Sequence, residues 1–331
     1  MRRILLFGAF LIAVGFALQG QTLAQAQPQL LVAYKNVDAV PVDPLAPIWD
    51  AVPATNVPLA AQLGVPPALQ QATVPAISVK AIHNAQWIAF LLTWDDKTRD
   101  VTATKPDEFR DAAAIQLPLN PQGTAVCMGV PGQAVNLWHW KADWQEDLDK
   151  GFRDVVDAYP NFWGDFYPFA EGKPPYRMPK DFVSSDARAY MVGWSVGNAL
   201  SNPERVSPVE DLNATGFGAA TSQSNQNVIG KGVWKDGKWR VVYARPLTSP
   251  DNQDAQLNPG QNSMAAFAVW NWSNREVGAR KQTSAWLIME LEARAGEFNV
   301  MRDGGMLIGA AAFGAVVAAG IIVLGLRRRA R

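Results

Sequence analysis

From residue 77 apolar and polar positions alternate through Ile77-Ser78-Val79-Lys80-Ala81-Ile82. After His83-Asn84-Ala85-Gln86 the chain returns as Trp87-Ile88-Ala89-Phe90-Leu91-Leu92-Thr93-Trp94. A period of two belongs to strands, so this stretch predicts a hairpin with His83 in its turn. A second hairpin spans 228–234 and 239–245 around Lys235-Asp236-Gly237-Lys238. Asp-Gly favours the two-residue type I′ turn, which sets Trp234 opposite Trp239. Further strands are predicted at 113–117, 134–140, 264–272 and 283–291. Helical spacing is scarce: a short helix is predicted at 143–157, followed by a Pro- and aromatic-rich loop at 159–179. So long a loop is often functional or covers something. Short strands with Pro/Gly-rich connections predict a mainly β domain, an antiparallel β-sandwich with a few short helices.

The two ends follow a different pattern. Arg2 and Arg3 precede an apolar run over 4–17, and Ala24-Gln25-Ala26 offers small residues where a signal peptidase cuts. Residues 1–26 therefore read as a secretory signal peptide, with Gln27 as the mature N-terminus and an uncleaved anchor as the alternative. Near the other end, 306–326 is uncharged over 21 residues. At 1.5 Å per residue it reaches about 31 Å, enough to cross the hydrocarbon core of a bilayer. Arg327, Arg328, Arg329 and Arg331 follow at once, which sets a cytoplasmic tail at 327–331. The domains expected are thus the signal peptide, an exported domain at 27–304, a transmembrane helix at 305–326 and the basic tail. The main domain is expected outside the cell membrane, on the periplasmic side.

Charge and composition narrow the chemistry. The 331 residues hold 30 Lys+Arg against 30 Asp+Glu, a formal net charge of zero. Six of the arginines lie in the two ends, so the central domain is left acidic. An acidic domain argues against nucleic acid as a partner, since that needs a basic face to neutralise phosphates. The only Cys, Cys127, excludes an intramolecular disulfide, a thiolate-held iron–sulfur cluster and covalent haem attachment through CxxCH. In an exported domain it reads as a small buried apolar residue. The only two His, His83 and His139, exclude a His-rich metal cage. His139 lies in Leu137-Trp138-His139-Trp140, on the strand face opposite both tryptophans, and reads first as structural or surface. No G-x-G-x-x-G loop or Walker sequence occurs. All 13 Trp fall in the exported domain, a density that suits a core, a large flat ligand or a sugar platform.

Five blocks in order resemble the haem-binding γ subunit of ethylbenzene dehydrogenase and its relatives. They are FRDAAAIQLP at 109–118 with Met128-Gly129, VNLWHWKAD at 135–143, SPVEDLNATGFG at 207–218, the Trp-flanked Asp-Gly hairpin, and RKQTSAW at 280–286. The resemblance covers roughly 30–292. It implies a β-sandwich holding one non-covalent b-type haem with Met and Lys as axial ligands. Such subunits relay electrons in extracytoplasmic molybdenum enzymes: hydrocarbon and dimethylsulfide dehydrogenases, chlorate and selenate reductases, and nitrite oxidoreductases. Carried onto this chain, the ligands are Met128 and Lys281, with Lys231 in Gly230-Lys231-Gly232 and then His139 as rivals for the second place. Without the resemblance, Lys281 reads as a solvated lysine at the start of a strand and Met128 as a core methionine.

The implied partners are an iron–sulfur β subunit and a molybdenum α subunit, with a membrane cytochrome or quinone-linked carrier beyond them. The tether at 306–326 and the 159–179 insertion depart from the mostly soluble members of that group. Two other functions remain open on the residues alone. One is a cell-surface carbohydrate-binding module displaying tryptophans. The other is a haem-free anchoring subunit, in which Met128 and Lys281 lie too far apart to share an iron.

Overall fold

The structure is a computed structural model that describes residues 29–293, except 121–126, 154, 160, 162–197 and 203. The expected signal peptide, the transmembrane helix with its basic tail, and most of the 159–179 loop lie outside the described residues. Among the described residues, no helix is long and apolar enough to cross a membrane.

The strands are β1 (Gln29–Tyr34), β2 (Thr55–Pro58), β3 (Ala60–Ala61), β4 (Ala76–His83), β5 (Trp87–Asp95), β6 (Ala112–Pro118) and β7 (Val135–Lys141). They continue with β8 (Val209–Ala214), β9 (Thr221–Ser222), β10 (Ile229–Lys235), β11 (Lys238–Pro246), β12 (Asn262–Trp270), β13 (Gln282–Thr283) and β14 (Leu287–Leu291). All belong to one sheet, in the order β10-β11-β5-β4-β1-β14-β12-β6-β7-β8-β9, with β2 beside β4 and β13 between β12 and β3. Two separate antiparallel sheets were the expectation. Instead a single sheet is continuous and mixed, because β1 runs parallel to both its neighbours, with Val32 beside Ala81 and Leu30 beside Met289. Continuity comes from β12, which pairs with β14 over Asn262–Ala265 and with β6 over Ala266–Trp270.

On either side of that shared strand the sheet turns to face itself. Phe90 of β5 meets Trp138 of β7 edge-on at 5.8 Å, and Trp140 of β7 meets Trp239 of β11 at 4.9 Å. Such edge-to-face pairs match the positive rim of one ring to the negative face of another. Trp94 completes the cluster, 6.2 Å from Trp140 and 6.5 Å from Trp239. Period-two alternation along β6 and β7 sends Ala113, Ile115, Leu117, Trp138 and Trp140 into this core, each wholly buried. Gly230 and Gly232 on β10 carry no side chain where one would strike Val209 and the Trp140 indole, so the hairpin can lie close against the aromatic cluster.

Both predicted hairpins form. Trp234 pairs with Trp239, and Asp236 and Gly237 take φ of 55° and 69°, the left-handed pair that a type I′ turn requires. His83 is the last residue of β4 rather than part of the turn; it is buried, with Nε2 2.7 Å from the Glu292 carbonyl. The predicted helix is α1 (Ala142–Lys150), which follows β7 directly and ends at Gly151, φ 100°; a separate short turn covers Val155–Ala158. The strand expected at 283–291 divides into β13 and β14. Between them Ser284 turns back on β12: its N–H donates to the Phe267 carbonyl and its Oγ accepts from the Phe267 N–H. That exchange uses the backbone groups that a continuous strand would have offered its neighbour.

Candidate functional site

The same alternation that fills the core with large residues leaves small ones on the outer face of β6 and β12. Ala114, Ala266 and Ala268 make a floor, bordered by Leu137 and His139 of β7 and Leu212 of β8. Three segments wall it. Val65-Pro66-Pro67 stand on one side, Phe217-Gly218 with Ala220 on another, and the stretch from Gly278 to Trp286 on the third. The enclosed space is about 680 Å³, within the range of small-molecule and cofactor sites, and its lining is mostly apolar. The cavity therefore lies outside the aromatic core, against the back of the sheet.

Met128 and Lys281 approach each other within this cavity. Lys281 Nζ lies 4.0 Å from Met128 Sδ, and the same nitrogen sits 4.9 Å from the centroid of the Trp270 ring. The lysine is aimed by its successor. Gln282 is fully buried: its amide donates to the Val269 carbonyl and to Glu276, and its Oε1 accepts from the Thr73 and Val74 N–H groups. With Gln282 turned inward, alternation turns Lys281 and Thr283 toward the cavity. No carboxylate pairs with Lys281 among the described residues, and burial pushes its pKa down from the usual lysine value, with the nearby Cys127 opposing weakly.

Met128 is held differently. Its φ is 60°, a left-handed conformation that costs a non-glycine residue about 1–3 kcal/mol and tends to occur at functional sites. Gly129 follows at φ 70°, where a Cβ would come within 2.7 Å of the Ala214 carbonyl and 2.8 Å of the Gln133 carbonyl. Only glycine lets this turn rest against β8 and so carry the thioether over the floor.

The remaining sequence candidates divide clearly. Lys231 is exposed on β10 and takes no part in the cavity. His139 does line it, on the face opposite Trp138 and Trp140 as its position implied. Its ring lies 4.9 Å from Trp270, and burial together with Lys141, Arg110 and Lys281 keeps its pKa well below the usual histidine value. The imidazole is therefore neutral at pH 7. Cys127, expected to be buried, is exposed, because it occupies the turn leading to Met128 at the cavity mouth. In the sequence Trp286 and Phe217 stood within the motif blocks with no role assigned, and Trp270 was given none either. The alanine floor was visible there only as small residues at alternate strand positions.

The arrangement joins a soft thioether and an amine, with no acid partner among the described residues, in a mostly apolar cavity. At 4.0 Å the thioether and the amine are near enough that a single metal ion would be within reach of both.

Comparison with known proteins follows the same outline. A family model described as ethylbenzene dehydrogenase matches residues 46–282, a span containing both Met128 and Lys281. A Haloferax mediterranei protein described as a respiratory nitrate reductase heme subunit is 24% identical over 270 residues, covering 81% of this chain and 75% of its own length. The chlorate reductase subunit gamma of Ideonella dechloratans is 23% identical over 246 residues, 73% of this chain and 77% of that one. Among solved structures, a family 9 carbohydrate-binding module from Caldicellulosiruptor kristjanssonii, in complex with glucose, aligns over 82% of this chain and 99% of its own. Its TM-score is 0.38 and its identity 11%. With its central 237 residues inside the family match, the chain belongs to the ethylbenzene dehydrogenase family.

Proposed function

We propose that this chain is the haem b electron-transfer (γ) subunit of a membrane-attached, extracytoplasmic molybdenum oxidoreductase complex, with Met128 and Lys281 as the axial ligands of one non-covalently held haem. The carrying observation is the 4.0 Å approach of Met128 Sδ and Lys281 Nζ across an apolar cavity of about 680 Å³. When bound, the haem supplies a one-electron couple. The protein's part is to shape and tune the site. Lys281 can bind iron only as a neutral amine, and burial without a carboxylate partner lowers the cost of deprotonation. A thioether on the other side favours reduced iron and raises the potential. The alanine floor lets a flat ring lie close to the sheet, and Trp270 closes the space beside the lysine. Electrons then pass between an iron–sulfur subunit and an external cytochrome or quinone-linked carrier, and the molybdenum subunit carries the substrate chemistry. The relatives named as heme and gamma subunits of nitrate and chlorate reductases support this placement. The uncharged stretch at 306–326 supports a tether to the membrane, with the domain on the periplasmic side.

The alternatives draw less support. A sugar platform needs exposed tryptophans, and every described tryptophan is buried or half-buried. A haem-free anchor needs Met128 and Lys281 to be far apart.

Loading the full chain with haem and recording reduced-minus-oxidised spectra tests the reading. Met128→Ala and Lys281→Ala should each shift the Soret band, while Lys231→Ala leaves it in place. Acid-acetone should extract the haem completely. An unchanged spectrum in both ligand variants overturns the assignment, and a chain that develops no Soret band overturns the cofactor.

A further inference from the structure

Gln116 lies in the middle of β6, on the cavity side, between Leu137 of β7 and Ala266 of β12. A polar side chain in a floor otherwise built of alanine calls for a partner, because a buried amide without one is costly. It is 8% exposed, and its Oε1 accepts the Met128 N–H at 3.1 Å. Met128 is the residue that adopts φ 60°. The next residue is wedged as glycine against the Ala214 and Gln133 carbonyls. Beyond it Val130 and Gln133 exchange backbone hydrogen bonds of 3.1 and 2.9 Å, a tight turn that delivers the chain into β7. On its C-terminal side the Met128 turn is thus tied down by backbone. In the cavity itself the tie is the Gln116 side chain.

Resting on the haem reading above, we propose that Gln116 is a positioning residue: its hydrogen bond to the Met128 N–H holds the left-handed turn that presents Sδ to Lys281 Nζ, and so sets the strength of thioether ligation and the haem potential. Three features converge on this role. A left-handed methionine relaxes toward ordinary φ once it is released, and that rotation swings its side chain away. Gln116 sits on a central strand, so its carbonyl oxygen is fixed by the sheet rather than by a loop. The bond is made to the backbone of Met128, which leaves the sulfur free to face the lysine.

The test uses the full chain with three substitutions. Gln116→Leu keeps the shape and removes the acceptor, Gln116→Glu keeps an acceptor oxygen, and Met128→Ala removes the sulfur. In the haem-free chain, Gln116→Leu should speed hydrogen exchange at the Met128 amide tenfold or more, and Gln116→Glu should restore protection. In the haem-loaded chain, Gln116→Leu should lower the midpoint potential and let carbon monoxide bind ferrous iron at least tenfold more readily. Each tenfold loss of preference for ferrous iron corresponds to about 59 mV. The same change made on Met128→Ala should add nothing further, the non-additivity expected when one residue acts through the other. A Gln116→Leu protein with the parent's potential, carbon monoxide response and amide protection overturns the proposal, whatever happens to its melting temperature. Faster amide exchange with an unchanged potential overturns the tuning role. A parent chain that takes up no haem overturns the cofactor reading instead, and the Met128 amide still reports on the hydrogen bond.

Discussion

At the scale of single residues, the site depends on which side chains lack partners. Among the described residues Lys281 stands over Trp270 without a carboxylate, while buried Lys141 is paired with Glu210 and fully buried Arg245 with Asp254 at 3.2 Å. A guanidinium stays charged at any working pH and has no lone pair for a metal, yet it stacks on an aromatic ring at least as well as an ammonium does. Lys281→Arg should therefore keep the fold and lose the ligand. We expect a melting temperature close to the parent's and haem affinity down tenfold or more, about 1.4 kcal/mol, measured by titration of the Soret band. The proximity of Met128 and Lys281 was legible only through the order of the motif blocks; their own local patterns pointed to an ordinary lysine and an ordinary methionine. Gln116 was hidden for a physical reason. It is one polar residue inside an apolar strand, and its partner is a backbone N–H brought near only by the left-handed turn.

At the scale of elements, period-two alternation carried most of the information. β4 was legible because one-sided burial imposes the alternation over most of its length, and β5 and β11, covered on both faces, were legible as short apolar runs bounded by turn residues. The parallel pairing of β1 was not, since the register between strands distant in sequence leaves no local trace. The break between β13 and β14 also escaped, because Ser284 satisfies Phe267 through a side-chain oxygen that any strand could carry outward. The closeness of β10 to Trp140 makes a prediction at this scale. Gly232→Ala places a methyl group into the indole, and overpacking of this kind costs typically about 1–3 kcal/mol. Denaturant unfolding should show that loss, while haem affinity at the cavity stays at the parent value, since Gly232 does not line it.

For the whole molecule, buried ionisable groups set the response to pH. Burial pushes Asp111 and Asp211 up to about 8, against an ordinary value of 3.8, despite hydrogen bonds to Asp111 from Trp239, Asp100 and Trp272 and to Asp211 from Asn136. A carboxyl raised in this way holds its proton in the folded chain and releases it in the unfolded one. Stability is then greatest below the unfolded value and is lost as pH rises through the folded value. Between pH 6.5 and 8 the melting temperature should fall, and Asp111→Asn should flatten that slope; thermal unfolding across the range measures both.

The position of the cavity bears on how the protein matures. Its floor is the back of β6 and β12, while the aromatic core packs on their other side. A core set apart from the cavity predicts that folding and cofactor delivery are separable: the haem-free chain should show a cooperative unfolding transition of its own. Occupancy then adds stability only by mass action, in proportion to free ligand over its dissociation constant. A shortage of haem would leave a folded pool awaiting delivery rather than one marked for degradation.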